Sequence, residues 1–464
     1  MSGLSGDIGV LGLGLSGRAV IDYLLARRDA GDPLTVTAYD SSDRCELVPI
    51  AEEYRARGVE VHLNAVECNR EFDLVIASPG IPPSSSLLTS ARSHAARLTG
   101  EIEFAFERSH SPWVAVTGTN GKTTVTTLIG HILSSAGRPA ECVGNIGDPP
   151  ISMIDEVGPS TVLVAETSSF QLSLTERFHP RVAVLLNITP DHIDWHGSMA
   201  AYTADKVRVF ANLRPGDTAV IDVDDDGSRP FADELEHTGI TVVRVSREGR
   251  ADEGALLTNG VLTISGSAGV EELVRPEELK IRGAHNVSNA LAAAAAARAL
   301  GIDARDIAEA LRTFDPIEHR LEPVAIVDGV EYFNDSKATN PGATQMALTA
   351  FPDRPVVLLL GGRNKDNQFA PLAPHIKRHC TAVVAFGEAA SQIADEFEPE
   401  GIAVERVDGL QGAVKRAREI AAAGDAVLLS PACASFDEFD SYAHRGRVFK
   451  ELVLGFTGEA PDDV

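Results

Sequence analysis

Short apolar runs recur along this chain, each stopped by small or polar residues, and stretches of helical periodicity lie between them. Ile8–Leu11, Leu34–Tyr39, Asp73–Ala77, Val114–Val116, Thr161–Ala165, Arg181–Leu186, Val330–Phe333, Val356–Leu360, Ala382–Ala385 and Ala426–Leu429 read as strands. Most are apolar throughout rather than alternating, as strands covered on both faces are. Helices are expected from Gly14 to about Arg28, after Gly121 to Gly137-Arg138-Pro139, over Ala200–Asn212, and over Asn289–Leu300 with Gly301 as its stop. Strands alternating with helices imply parallel α/β sheets. Polar breaks at Arg108-Ser109-His110-Ser111-Pro112 and at Asp315-Pro316 divide the 464 residues into three expected domains, 1–108, 109–314 and 315–464.

The run WVAVTGTNGKTTVTT, Trp113 to Thr127, carries the clearest chemistry. A strand runs into Gly118, Thr119, Asn120 and Gly121, and a helix opens at Lys122, Thr123 and Thr124. Glycines let backbone N–H groups approach an anion, the helix N-terminus adds its positive dipole end, Lys122 reaches outer phosphates and Thr123 can ligate Mg²⁺. Val116 occupies the first glycine position of the full G-x-x-x-x-G-K-[ST] pattern. Use of a nucleoside triphosphate follows.

Further polar residues cluster just past strands. Gly12-Leu13-Gly14-Leu15-Ser16-Gly17, with Asp40 after the next strand, has the form of a dinucleotide site, although the same glycines also serve tight helix–strand packing. Ser78-Pro79-Gly80-Ile81-Pro82 makes a small-residue turn at another strand end. Glu166, at the end of Thr161–Ala165, can hold Mg²⁺ directly or through water, and His192 follows the next strand in NITPDHID. In the last third, NDSKATN, GGRNK and SPACASFD each follow a strand, which describes a binding edge for a small acidic substrate.

Composition narrows the classes. The net charge of −26 shows no basic face for nucleic acid. No run approaches the length of a membrane span, and no basic-then-apolar signal segment opens the chain. The five cysteines contain no C-x-x-C, so neither a disulfide framework nor a zinc site is suggested, and a reducing cytoplasm is expected. Arginine outnumbers lysine 33 to eight, and four of the eight, Lys122, Lys206, Lys337 and Lys365, lie in motifs. A lysine kept inside a motif points to a need for a compact, modifiable amine. Lys206 is either an exposed helix lysine or an amine that adds CO₂ to become a carboxylate-like ligand beside Mg²⁺.

Together these motifs resemble the Mur ligases, the ATP-dependent amide-bond ligases of peptidoglycan precursor synthesis. TGTNGKTT, GNIG, ETSSFQL, NITPDH, Lys206 and GAHNVSNALAA occur in that family's order, and folylpolyglutamate synthases share the central ones. HRLE, NDSKATN, GG-x-x-K and SPACASFDEF, with GLGLSG and SPGIP at the start, are similar to the D-glutamate-adding branch. The resemblance implies a Rossmann-like N-terminal domain, a central P-loop-type ATPase domain and a Rossmann-like C-terminal domain. It implies ATP, two Mg²⁺ ions, and the substrates UDP-N-acetylmuramoyl-L-alanine and D-glutamate, in a cytoplasmic monomer with no nucleic-acid partner and no membrane insertion. By resemblance, Thr123 and Glu166 hold one ion, and Glu166, His192 and carbamylated Lys206 the other. Asn286, Arg320 and Asp335 contact the nucleotide. Leu15, Ser16, Asp40, Ser41 and Gly80 contact the UDP part, and Asn145 the reactive end. Lys337, Thr339, Lys365, Ser435 and Phe436 hold D-glutamate. Asp366 after Lys365, Trp195 after DHID and Tyr442 depart from the usual pattern. A nicotinamide oxidoreductase, resting on GLGLSG alone, and a motor or switch ATPase, resting on the phosphate loop alone, remain alternatives at this point.

Overall fold

Three sheets organise the chain. The computed structural model describes residues 3–457 except 43, 267, 268, 353 and 366, so Asp366 lies outside the described residues. The first sheet holds β1 (Gly6–Leu11), β2 (Leu34–Tyr39), β3 (Glu60–His62), β4 (Leu74–Ala77) and β5 (Leu98–Gly100). Its order is β3-β2-β1-β4-β5, with every pair parallel. The second holds β6 (Trp113–Thr117), β7 (Ala140–Gly144), β8 (Val162–Glu166), β9 (Val182–Leu185), β10 (Thr218–Asp222), β11 (Thr241–Ser246), β12 (Gly254–Thr258), β13 (Val261–Gly266) and β14 (Gly269–Glu272), in the order β14-β13-β12-β11-β10-β9-β6-β8-β7. The third holds β15 (Glu322–Val327), β16 (Val330–Asn334), β17 (Val356–Gly361), β18 (Cys380–Phe386), β19 (Val404–Arg406) and β20 (Ala426–Leu429), in the order β15-β16-β20-β17-β18-β19.

The sheets are parallel in their centres, as the apolar runs imply, but not throughout. β12, β13 and β14 pair antiparallel at one edge of the second sheet, and β15 pairs antiparallel with β16 in the third. Each departure includes a hairpin on a two-residue turn. Asn259-Gly260 joins β12 to β13 and Asp328-Gly329 joins β15 to β16, and all four residues have positive φ, from 53° to 80°. Asn-Gly and Asp-Gly tolerate that left-handed pair, which matches the strand twist. The two dipeptides were therefore visible signals of antiparallel pairing.

Two compact units result. One comprises residues 1–276 and 288–311 and contains the first two sheets; the other comprises 277–287 and 312–464 and contains the third. Inside the first unit, buried carboxylates join the two sheets' layers. Glu101 accepts the Ile151 N–H at 2.9 Å, and Glu103 accepts the N–H groups of Glu176, Arg177 and Phe178 at 2.8–3.1 Å. β6, β8 and β9 are buried along their whole length. Helix Lys122–Ser135 seals one face with Val125, Leu128, Ile129, Ile132 and Leu133, each contributing about 1.5–3 kcal/mol by leaving water. The central strand β6 thus delivers a rigid strand end to the loop that follows it.

Candidate active site

The loop after β6 is held from three directions. Thr119 N–H donates to the Asn187 carbonyl at 2.9 Å, and Asn120 N–H to the Asn187 side-chain oxygen at 2.8 Å. The Thr119 hydroxyl lies 2.9 Å from the Tyr202 hydroxyl and donates to the Thr189 carbonyl at 3.1 Å. Gly121 caps helix Lys122–Ser135 with φ 86°, and a Cβ there would stand 2.5 Å from Asn289 Oδ1, so only glycine fits. The cradle is built before any anion arrives.

Around it the structure gathers a carboxylate and two amines. Glu166, at the end of β8, accepts from the Thr123 hydroxyl at 2.7 Å on Oε2 and from the Asn145 amide at 2.8 Å on Oε1. Lys122 Nζ donates to the Gly118 and Thr119 carbonyls at 2.9 and 2.8 Å, and Lys206 Nζ donates to the same Gly118 carbonyl at 2.7 Å. Lys206 is not an exposed helix lysine. It stands near the end of helix Met199–Val207, shorter than the expected 200–212 because a 3₁₀ turn over Arg208–Phe210 follows, and it is 2 % exposed. Burial pulls its pKa well below the ordinary lysine value, and the neighbouring Lys122 ammonium adds to this against Asp191 and Glu166. A neutral amine is what CO₂ addition requires.

His192 opens the short helix Ile193–His196 in a left-handed conformation, φ 52°, with Nε2 3.6 Å from Asp191 and its ring edge-on to Phe170. The hydroxyl of Thr123 shares Glu166, and the Lys206 amine faces Glu166 and Asp191 electrostatically. This donor set fits a hard cation, which takes oxygen ligands. Glu166 and His192 are the side chains that could offer ligand atoms to such an ion, and a carbamate on Lys206 would offer another.

The first sheet presents a second strand-end edge. Asp40 stands at this edge, half-buried. Its carboxylate accepts from the N–H groups of Leu13 at 2.7 Å and Ser42 at 2.9 Å, tying the loops after β1 and β2 together. Gly17 packs so closely that a Cβ would lie 1.8 Å from the Gly12 carbonyl. Leu15, Ser41 and Gly80 are exposed around this turn and Ser16 half-buried.

In the second unit the ends of β16, β17 and β20 meet around one buried cation. Arg445, fully buried, donates to the Ser336 hydroxyl and carbonyl at 3.0 and 2.8 Å and to the carbonyls of Cys433, Ala434 and Gly361 at 3.1–3.4 Å. The three polar clusters are thereby brought together. Lys337 Nζ lies 3.7 Å from the centre of the Tyr442 ring. Ser435 is 2 % exposed and its hydroxyl finds no partner among the described residues, whereas Phe436 and Lys365 are exposed and Thr339 half-buried. Asp335 accepts from Ser430 at 2.8 Å and from Leu321 N–H at 3.2 Å, and burial pushes its carboxyl up to about 7. Asn286 is buried and donates to the Arg282 carbonyl at 2.7 Å, and Arg320 is half-buried and lowers the Asp335 value through its charge.

Four supporting residues escaped the sequence reading. Asn187 lay inside a motif whose histidine drew attention instead. Tyr202, His196 and Arg445 act through tertiary contacts, and nothing local marks one arginine among 33.

Comparison with known proteins follows the same three layers. The Mur ligase MurD-like N-terminal domain matches residues 6–100, the Mur ligase middle domain 116–297, and the Mur ligase glutamate ligase domain 319–433. A protein of Pelotomaculum thermopropionicum is 44 % identical over 456 residues, 96 % of each chain, and one of Koribacter versatilis 39 % identical over 96 % of each; both are named UDP-N-acetylmuramoylalanine--D-glutamate ligase. The chain belongs to the Mur ligase family. It is an ATP-dependent amide-bond ligase. Among solved structures, a pseudomurein peptide ligase type C from Methanothermus fervidus shares the fold at TM-score 0.58 and 18 % identity, over 97 % of this chain and 99 % of that one. E. coli FolC in complex with ADP does so at 0.57 and 18 %, over 77 % of this chain and 94 % of that one. Placed in the Mur ligase family, the glycine turn after β1 belongs to a Mur ligase N-terminal domain and gives no support to a nicotinamide site. No helix among the described residues is long and apolar enough to cross a membrane.

Proposed function

We propose that this Mur ligase joins D-glutamate to UDP-N-acetylmuramoyl-L-alanine through an acyl phosphate, with release of ADP and phosphate, as a cytoplasmic monomer with no nucleic-acid partner. The expected domains, 1–108, 109–314 and 315–464, are kept as part of this proposal. The observation that carries the reaction type is the set Lys122, Thr123, Glu166 and Lys206 around a preformed phosphate loop. The substrates are supported by the names of the relatives matched over 96 % of the chain.

In this reading the loop N–H groups and Lys122 hold the outer phosphates, so the γ-phosphorus is positioned for the substrate carboxylate. Phosphoryl transfer depends on positioning and charge neutralisation more than on covalent help. Thr123 and Glu166 would hold one Mg²⁺ ion and Glu166, His192 and carbamylated Lys206 a second, and bound ions neutralise phosphate charge. Asn145, fixed by Glu166, orients the reactive end of the substrate. Leu15, Ser16, Asp40, Ser41 and Gly80 surround the UDP part, and Asn286, Arg320 and Asp335 keep the nucleotide role that the resemblance implies. Lys337, Thr339, Lys365, Ser435 and Phe436 hold D-glutamate, whose amine displaces phosphate from the acyl carbon. The unpartnered Ser435 hydroxyl supports a ligand at this edge, since buried hydroxyls are ordinarily bonded.

Phosphate release tests the reading. With ATP, Mg²⁺ and UDP-N-acetylmuramoyl-L-alanine, D-glutamate is expected to support turnover far better than L-glutamate, because a site built on placed charged contacts rejects a misplaced carboxylate. Equal use of L-glutamate, or preference for a diamino acid, contradicts the proposal.

A further inference from the structure

One buried histidine is not used by the chemistry above. His196 has a fully buried side chain, with Nδ1 2.9 Å from Asp205 Oδ2 and Nε2 2.9 Å from Ser169 Oγ. In the neutral ring with Nδ1–H donating to Asp205, Nε2 accepts from the Ser169 hydroxyl. Aromatic rings enclose it. Phe170 stacks on it at 5.5 Å, Trp195 lies at 4.4 Å and Tyr202 at 5.2 Å. These are the spacings of a hydrolytic Ser-His-Asp set, but Ser169 is 3 % exposed, so no acyl group can reach it.

The placement of its partners points elsewhere. Ser169 follows Glu166 by three residues, and the intervening chain is fixed because Ser168 and Gln171 form a reciprocal cap on helix Ser169–Leu172. Asp205 immediately precedes Lys206 on helix Met199–Val207. His196 itself ends the short helix that His192 opens, and its N–H bonds back to the His192 carbonyl at 3.2 Å. A single ring therefore ties together the backbone segments that carry Glu166, His192 and Lys206. These segments come from three separate elements, and among the described residues no backbone ladder joins the two helices to the end of β8.

We propose that His196 is a positioning residue for the cation site, fixing the spacing of Glu166, His192 and Lys206 through Ser169 and Asp205. This rests on the cation reading of those three residues. Groups that orient metal ligands from behind typically cost 10–100-fold in metal affinity or activity when removed.

The test uses Mn²⁺ as a spectroscopic stand-in for Mg²⁺, titrated by electron paramagnetic resonance into the full chain with a non-hydrolysable ATP analogue. His196→Phe keeps the ring stacking and removes both hydrogen bonds. It is expected to weaken Mn²⁺ binding about 10-fold or more, to lower kcat in a way that added Mg²⁺ partly restores, and to leave the KM for D-glutamate within about twofold. Asp205→Asn retains an acceptor for Nδ1–H and is expected to bind Mn²⁺ like the parent; Asp205→Leu, at a partly exposed position, is expected to bind it weakly. Parent-like Mn²⁺ binding by folded His196→Phe, or by Asp205→Leu where His196→Phe does not fold, overturns the proposal alone. Absence of Mn²⁺ binding by the parent chain overturns the cation reading and this proposal with it.

Discussion

Two buried cations, one in each unit, meet opposite fates. Lys206 is buried beside a second amine, Lys122, whose charge outweighs the opposing pull of either Asp191 or Glu166. Among the described residues its amine has the Gly118 carbonyl at 2.7 Å and the Tyr202 ring at 4.6 Å, and its pKa falls well below the lysine range. Arg445 is as deeply buried but spreads its charge over five acceptor contacts, and burial lowers its pKa only to about 10. Burial lowers both, but Arg445 starts from a higher ordinary value and has Asp437, Glu438 and Asp335 near enough to favour its charge, whereas the Lys122 ammonium disfavours that of Lys206. The amine is poised to lose its charge and react, while the guanidinium stays charged and serves as a frame for three strand ends.

The strongest way to break this contrast is to exchange the cation types. Lys206→Arg keeps the charge but cannot form a carbamate, and activity is expected to fall on the order of 10³-fold or more, since one charge-stabilising group alone is worth about 10²–10³. Carbon-13 NMR under labelled CO₂ should show a carbamate carbonyl in the parent and none in the variant; full activity of Lys206→Arg would end the carbamate account. Lys122→Ala is expected to lower kcat by about 10²–10³ with the fold intact. A near-parental kcat, with circular dichroism unchanged, would mean that the phosphate loop is misassigned.

The second unit can be probed through stability. The Asp335 carboxyl is raised to about 7 by burial, so its contribution is fully present below the ordinary carboxylate range and is lost as pH rises through about 7. Asp335→Asn can still accept from Leu321 N–H and donate to Ser430. It should therefore be more stable than the parent at pH 8 by about 4 kcal/mol, and this advantage should vanish near pH 4. Denaturant titration at the two pH values checks the sign. The smallest effect is expected for Arg445→Lys, which keeps a charge but cannot reach all five acceptors. Losing two or more bonds there should cost about 1–3 kcal/mol in the same titration. An unchanged midpoint would show that the frame is not held by Arg445.

The contrast also explains what could be read from the chain beforehand. The strand ends, the phosphate loop, Glu166 and the scarcity of lysine are local facts, legible because glycine spacing and apolar runs impose them. The Asn259-Gly260 and Asp328-Gly329 hairpins were legible too, but the alternation of strand and helix elsewhere masked them. Arg445, His196 and Tyr202 were not legible, because what they do depends on which carbonyls and hydroxyls the tertiary fold brings to them. Asp40 was legible as the acid that follows the glycine turn, but not that both its oxygens accept backbone N–H groups of its own loops. The burial of Lys206 was likewise invisible, since a lysine is ordinarily exposed, although it lies four residues from buried Tyr202 on one face of its helix.

The central claim is that a substrate carboxylate is activated as an acyl phosphate at the phosphate-loop edge. It is tested most directly by oxygen transfer. UDP-N-acetylmuramoyl-L-alanine labelled with ¹⁸O in both oxygens of its alanyl carboxylate is incubated with ATP, Mg²⁺ and D-glutamate, and the released phosphate is analysed by mass. The account predicts that each phosphate carries one ¹⁸O atom, because the carboxylate oxygen that attacks the γ-phosphorus leaves with it when the amine displaces phosphate. Unlabelled phosphate formed in step with the amide product would contradict it.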